Sequence, residues 1–232
     1  MEKKQNLFTP RIILQLLGTV FLFPFIPLIL SGNWGWWEAW VNVIIIIGGF
    51  VVSRLMVNRR HPDLIAERAR FLQHEDAKPW DKALAPLVAI GYVLVLAAAG
   101  LDERSGLADT FSLPVRLGSL AVILASYALT TWALVENRFF SGMVRIQTER
   151  GHTVVSNGPY RWLRHPGYAG GLLTYLATPF LLDSLWAILP AVLLSTVLVV
   201  RTALEDRTLQ AELPGYADYA RRVRWRLLPG VW

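Results

Sequence analysis

The residues Gly158-Pro159-Tyr160-Arg161-Trp162-Leu163-Arg164-His165-Pro166-Gly167-Tyr168-Ala169-Gly170 gather two guanidiniums, an imidazole and two phenols directly ahead of a long apolar run. Each proline removes a backbone donor and biases the residue before it toward extended backbone, so no regular helix is expected before Pro166. Folded-back backbone beside a bilayer persists only where protein buries it or where it lines a polar cavity. The stretch therefore has two readings: the wall of a small-molecule pocket, or an interfacial anchor of basic and aromatic side chains. A second group, Arg201 with Glu205 and Asp206, closes the last apolar run. Arg201 and Glu205 are four apart and share a helix face, with Cβ atoms about 5 to 6 Å from each other. They suit a structural ion pair at the interface. They equally suit a site in which Glu205 accepts from an ammonium or ribose hydroxyl while Arg201 faces an anion. Those two needs arise together when a zwitterionic cofactor and an acidic substrate are neighbours.

Other chemistries find little support. His61, His74, His152 and His165 are the only histidines, none at metal-ligand spacing. No Gly-x-Ser-x-Gly elbow, Gly-x-Gly-x-x-Gly turn or phosphate loop occurs. With no cysteine, disulfides, thiolate nucleophiles and thiolate metal sites are all excluded. The net charge of +6 would suit nucleic acid, but the charges flank apolar runs and no nucleic-acid-binding domain is recognisable.

The elements that must position these residues are membrane helices. The chain is 54% hydrophobic and 17% charged, with mean hydropathy +0.40, whereas soluble domains carry roughly a quarter charged residues. The expected fold is all-α, a polytopic integral membrane bundle of about six spans forming one domain over 1–232. Within it, 1–114 supplies N-terminal spans and a surface loop, and 115–232 the core. Spans are expected over Ile12 to Leu30, retained rather than cleaved and kinked at Pro24 and Pro27, then Ala39 to Val57, Ala83 to Gly100 and Val115 to Val135. A hairpin follows from Gly167 to Leu204, broken at Asp183-Ser184, its first arm short and tilted. Trp34, Trp36, Trp37 and Trp40 read as an interfacial belt. Asp63 to Gln73 has the spacing of a surface-lying amphipathic helix, either docked or a lid. Of the 23 lysines and arginines, only Arg104 and Arg116 fall on the outer side of this topology. Both termini, both long polar loops and the basic tail are therefore expected at the cytoplasmic face, in a bacterial inner membrane.

The ordered motifs Gly151-His152-Thr153-Val154-Val155, Gly158-Pro159-Tyr160, Arg164-His165-Pro166-Gly167-Tyr168-Ala169-Gly170, Arg201 with Glu205-Asp206, Gly215-Tyr216-Ala217-Asp218-Tyr219 and Arg226-Leu227-Leu228-Pro229-Gly230 resemble the isoprenylcysteine carboxyl methyltransferase family. Related phospholipid N-methyltransferases share parts of the pattern. The resemblance covers about Leu117 to Trp232 and is specific for the superfamily, not for a substrate. It implies S-adenosylmethionine as methyl donor, S-adenosylhomocysteine as product, and a lipidic or membrane-dissolved acceptor, foremost a prenylcysteine-like carboxylate. Carried over by position, the cofactor contacts are His152, Thr153, Val154, Val155, Tyr160, His165, Pro166, Gly167, Tyr168 and Glu205. Arg201 matches the substrate-side arginine, and Arg164 takes a secondary catalytic role beside Glu205. Where relatives have a glutamine in the preceding loop, this chain has Arg145, with Gln147 two residues on; Asp206 replaces a second glutamate. A phospholipid amine or a small thiol is the alternative acceptor. A nicotinamide-dependent membrane reductase of the sterol reductase type, which carries a related His-Pro-x-Tyr element, is the alternative enzyme.

Overall fold

The computed structural model describes residues 18–69, 74–106 and 111–232. Expectations for Lys3, Lys4, Arg11, the start of the first span, the end of the 63–73 helix and Asp109 lie outside those residues. Among the described residues every regular element is helical. After a turn of π-helix (Gly18–Leu22) and one of 3-10 helix (Phe23–Phe25), α1 covers Ile26–Ser31. There follow α2 (Trp37–Arg60), α3 (Pro62–Ala69), α4 (Asp81–Ser105), α5 (Leu113–Glu136), α6 (Pro166–Leu181), α7 (Ile188–Glu212) and α8 (Tyr216–Arg222).

Of these, α2, α4, α5 and α7 are long and apolar enough to cross a bilayer. Their outward surfaces agree with that: Ile44, Leu55, Leu94, Leu124 and Leu193 stand exposed around the bundle, where only a hydrocarbon medium removes the cost of bare apolar area. Four of the about six expected spans, Ala39 to Val57, Ala83 to Gly100, Val115 to Val135 and the second arm of the hairpin, appear with longer ends, while the described part of the first is only short helical turns. Their breaks fall where the chain must turn, α2 stopping at His61 before Pro62. The hairpin breaks at Asp183-Ser184 as expected, and α6, with 16 residues, reaches only about 24 Å at 1.5 Å per residue. Pro24 sits in the 3-10 turn and Pro27 opens α1, so both lie at changes of helical type. Trp34, Trp37 and Trp40 are exposed at one rim as a belt requires, while Trp36 turns inward.

The bundle has two unlike ends. At one, buried Asp102 accepts from Ser184 Oγ at 2.7 Å and from the Trp186 amide at 3.1 Å, stapling the α6–α7 turn to α4. Arg116 pairs with buried Glu38 at 2.6 Å. At the other end lie the ends of α2, α5 and α7, the starts of α4 and α6, all of α3, and the loop between α5 and α6. There the described turns of α3 dock through Leu64, fully buried among Val57, Leu134 and Val135.

The tightest helix pair is α5 with α6. A Cβ on Gly170 would stand 2.2 Å from Thr130 Oγ1 and 2.7 Å from the Ser126 carbonyl, whereas one on Gly171 would meet nothing closer than 3.7 Å. Small residues let membrane helices approach closely enough for dispersion to hold them. Gly170→Ala is therefore expected to cost about 1 to 3 kcal/mol by overpacking and to lower the melting temperature in detergent, with Gly171→Ala near wild type. Equal effects of the two would contradict this packing.

Candidate functional site

A cavity opens at the end of the bundle carrying α3, lined mainly by apolar and aromatic side chains with a few convergent polar groups, the lining typical of small-molecule sites. His152, Thr153, Val154, Val155, Tyr160, Arg164, His165, Gly167, Tyr168 and Glu205 all line it. Pro166 and Arg201, also expected here, are not among its walls. Pro166 is the first residue of α6, where its missing amide costs nothing. Residues not foreseen in the wall include Asn137, Phe139, Phe140, Leu209, Tyr216 and Tyr219. The aromatic density of the 137–140 and 216–219 segments was the available signal.

The floor is organised by Asp206, a carboxylate with no exposure. Arg164 Nε lies 2.8 Å from its Oδ1 and Nη2 2.9 Å from Oδ2. Arg226 Nε donates to Oδ2 at 2.9 Å, Gln210 Nε2 to Oδ2 at 2.8 Å and the Tyr216 hydroxyl to Oδ1 at 3.2 Å. His165 Nε2 is also 3.2 Å from Oδ1. Burial pushes the Tyr216 phenol far up, reinforced by the neighbouring carboxylate, so it remains a donor. One α7 side chain thus holds the α6 entry, α8 and the C-terminal segment together. The backbone repeats the connection: Leu163 and Trp225 form a parallel bridge, and the amides of Arg164 and His165 donate to the carbonyls of Trp225 and Arg226 at 2.9 and 3.0 Å. Arg164 also donates to the carbonyls of Ala220 and Val223. Its bonding capacity is therefore largely engaged within the fold.

One residue back along α7, Glu205 Oε2 accepts from the Tyr168 hydroxyl at 2.5 Å, and the Tyr168 ring stacks on His165 with centroids 5.8 Å apart. Arg201 does not bond Glu205. Its Nε and Nη2 reach Asp81 at 2.6 and 2.9 Å and Nη2 reaches the Gly142 carbonyl at 3.0 Å, while its guanidinium lies 5.3 Å from the Tyr168 ring centroid. Asp81, fully buried, also accepts from the Val144 amide at 2.7 Å. Ionic pairing at Arg201 was foreseen, but the partner came from α4 and not from the next turn of its own helix.

The remaining wall is the loop after α5. Gln147 Nε2 donates to the Phe139 carbonyl at 2.7 Å, and its amide faces His152 Nδ1 at 3.3 Å. The His152 ring lies against Phe139 with centroids 4.5 Å apart and planes tilted by 33°. Burial, helped by Arg145 and Arg150, pushes the His152 imidazole down to about 4, so it is neutral near pH 7. Arg145 reaches Glu67 at 2.9 Å, Asp76 at 2.8 Å and Glu149 at 2.7 Å. Burial alone would lower it, but bonds to Glu149, Asp76 and Glu67 hold it above the ordinary range. Arg145 and Gln147 both line the cavity, each with its polar head engaged by the protein. The result is a cavity walled by aromatic faces with one carboxylate, Glu205, among them. Such a surface suits a ligand combining a flat ring with positive charge.

Residues 119–211 match the model of the isoprenylcysteine carboxyl methyltransferase (ICMT) family, the family singled out by the sequence motifs. Uncharacterized protein YpbQ of Bacillus subtilis is 37% identical over 99 residues, 40% of this chain and 56% of that protein. Protein-S-isoprenylcysteine O-methyltransferase B of Arabidopsis thaliana is 30% identical over 46% of this chain and 55% of its own. Cobalt-zinc-cadmium resistance protein CzcN of Cupriavidus metallidurans is 36% identical over 46% and 45%. The chain thus spans about half the length, or less, of the relatives it matches. The solved structure of a eukaryotic intramembrane Ras methyltransferase, ICMT, superposes with a TM-score of 0.51 at 17% identity, over 96% of this chain and 88% of that one. The two share a fold.

Because the His152 imidazole falls to about 4 in the fold against about 6.5 in the unfolded chain, the unfolded chain binds a proton that the native state refuses between those values. Its contribution is fully present above pH 6.5 and is lost as pH falls toward 4. His152→Gln is expected to show a shallower loss of melting temperature from pH 6.5 to 4.5 than wild type; parallel curves would contradict this burial.

Proposed function

We propose that the protein is an S-adenosylmethionine-dependent membrane methyltransferase whose acceptor is lipidic or membrane-dissolved, foremost a carboxylate of the prenylcysteine type. The observation that carries this reading is the Tyr168–Glu205 clamp stacked on His165 inside an aromatic-walled cavity. Donor and walls are chemically matched. A sulfonium and an ammonium suit aromatic faces and a carboxylate, and adenine suits the planar surfaces of Phe139, His152 and Tyr160. His152 to Val155, Tyr160, His165, Gly167 and Tyr168 are the cofactor contacts, with Glu205 receiving the ammonium or a ribose hydroxyl. Arg201 and Arg164, engaged with Asp81 and Asp206, act as positioning groups for Tyr168 and for the cavity floor.

S-adenosylmethionine supplies an electrophilic methyl on a good leaving group. The acceptor carboxylate forms the new C–O bond as the S–C bond breaks, the electron pair returning to sulfur. An ionised carboxylate needs no base, so no side chain has to move a proton. Alignment of the reacting atoms at about 3 to 3.5 Å is the main contribution the protein must make, worth up to about 7 to 11 kcal/mol. Spanning helices let a lipid-bearing acceptor enter sideways from the bilayer. With the cavity end in the cytoplasm, as the distribution of lysines and arginines supports, the donor enters from water.

Titration calorimetry with S-adenosylhomocysteine tests the reading. Saturable binding is expected, weakened at least tenfold by Glu205→Gln and by His165→Ala. No heat at millimolar ligand, together with a thermal shift given by a reduced nicotinamide dinucleotide instead, would replace the methyltransferase with the reductase.

A further inference from the structure

Among the described residues, the cations around the cavity are matched by carboxylates: buried Arg201 by Asp81, buried Arg164 and half-buried Arg226 by Asp206, and buried Arg145 by Glu67, Asp76 and Glu149. Two partly buried arginines, close enough to each other to interact electrostatically though neither lines the cavity, differ. Arg68, on α3, donates through Nη1 to the Phe140 carbonyl at 3.1 Å and lies 5.3 Å over the Phe140 ring. Its Nε is buried without a hydrogen-bond partner, and no carboxylate pairs with it among the described residues. Arg54, inside the apolar length of α2, makes a single described contact, 4.8 Å over the ring of Phe50. Burial, with repulsion from Arg54 and Arg201, pulls Arg68 down to about 9. An unpaired charge held out of water is costly, and natural structures keep one where a ligand supplies the counter-charge.

Phe140 joins Arg68 to the proposed reaction site. It lines the cavity, and its ring tip sits where a Cβ on Gly167 would be, 2.5 Å away. Glycine at 167 is thus what lets the ring close against the start of α6, next to Tyr168. Arg68, packed on Phe140 from α3, is thus one side chain away from the cavity. Neither arginine falls in the segment matched by the family model, 119–211.

We propose that Arg68 and Arg54 form an anion subsite for the acid group of the methyl acceptor, selecting a carboxylate over an amine or a neutral thiol. The inference rests on the methyltransferase reading and narrows its acceptor. It also supplies a route to product release: methylation turns a carboxylate into a neutral ester, removing the charge that the two guanidiniums hold.

The test uses the full chain in nanodiscs of phosphatidylcholine, with N-acetyl-S-farnesylcysteine and its methyl ester as probes and thermophoresis as the readout. Wild type is expected to bind the acid at least tenfold more tightly than the ester. Arg68→Gln and Arg54→Gln are each expected to weaken the acid at least fivefold, leaving the ester and S-adenosylhomocysteine within twofold, and Arg68→Lys should restore most of the preference. Equal binding of acid and ester to wild type, binding of neither, or an equal loss of both in Arg68→Gln would overturn the subsite. So would loss of the acid preference when phosphatidylglycerol is added, which would give the arginines to a lipid phosphate. Failure of the methyltransferase reading looks different: no S-adenosylhomocysteine binding, with the discrimination between acid and ester intact.

Discussion

A carboxylate taken fully out of water must be met by donors on every side, and Asp206 meets that demand by drawing on four separate segments. Arg164 and His165 come from the turn before α6, Gln210 from its own helix, Tyr216 from α8 and Arg226 from the tail. Removing the carboxylate would strand Arg164 and Arg226 beside one another, and leaving a buried charge without its partner costs about 3 to 5 kcal/mol. The tail and α8 are short, and they pack through Tyr216, Tyr219 and Ala220 on Leu213 and through Leu227 on Leu163, Leu172 and Leu198. The Asp206 group and the backbone bridge beside it add directional contacts to that packing. The position of the cavity's floor follows.

Asp81 does for the wall what Asp206 does for the floor. It binds Arg201 and the Val144 amide together, so the loop carrying Phe139, Phe140 and Gln147 is anchored to a spanning helix and not left to the solvent. Arg201 in turn underlies Tyr168, and Tyr168 fixes Glu205. The two buried acids thus hold opposite sides of one site, and the side chains that face its interior are supported by partners behind them. Such second-layer support is what keeps a site within the tolerance its chemistry requires.

Much of this was legible from residue order. The spans were visible as apolar runs, and their breaks coincided with prolines, glycines and the Asp183-Ser184 pair. Motif spacing led to His152 through Val155, Tyr160, His165, Tyr168 and Glu205, all of which line one cavity. What stayed hidden depends on long-range partners. Spacing on one helix offered Glu205 as the mate of Arg201, because periodicity reports only neighbours on the same face. Asp81, 120 positions away, has no local signature beyond being an acid at the start of an apolar run. Likewise Asp206 read as a shortened glutamate, and its role as a hub emerged only once the tail folded back. Phe139 and Phe140 were unremarkable in a loop until His152, Gly167 and Arg68 were seen to pack on them.

The central claim is that the space between the Tyr168–Glu205 clamp and the 152–155 segment holds the adenosyl donor. An experimental structure of the protein in a lipid nanodisc with S-adenosylhomocysteine tests it most directly. The account predicts ligand density within hydrogen-bonding distance of Glu205 and beside His152 to Val155, with the contacts to Asp206 retained. Density elsewhere, or an Asp206 cluster opened to admit the ligand, would contradict it.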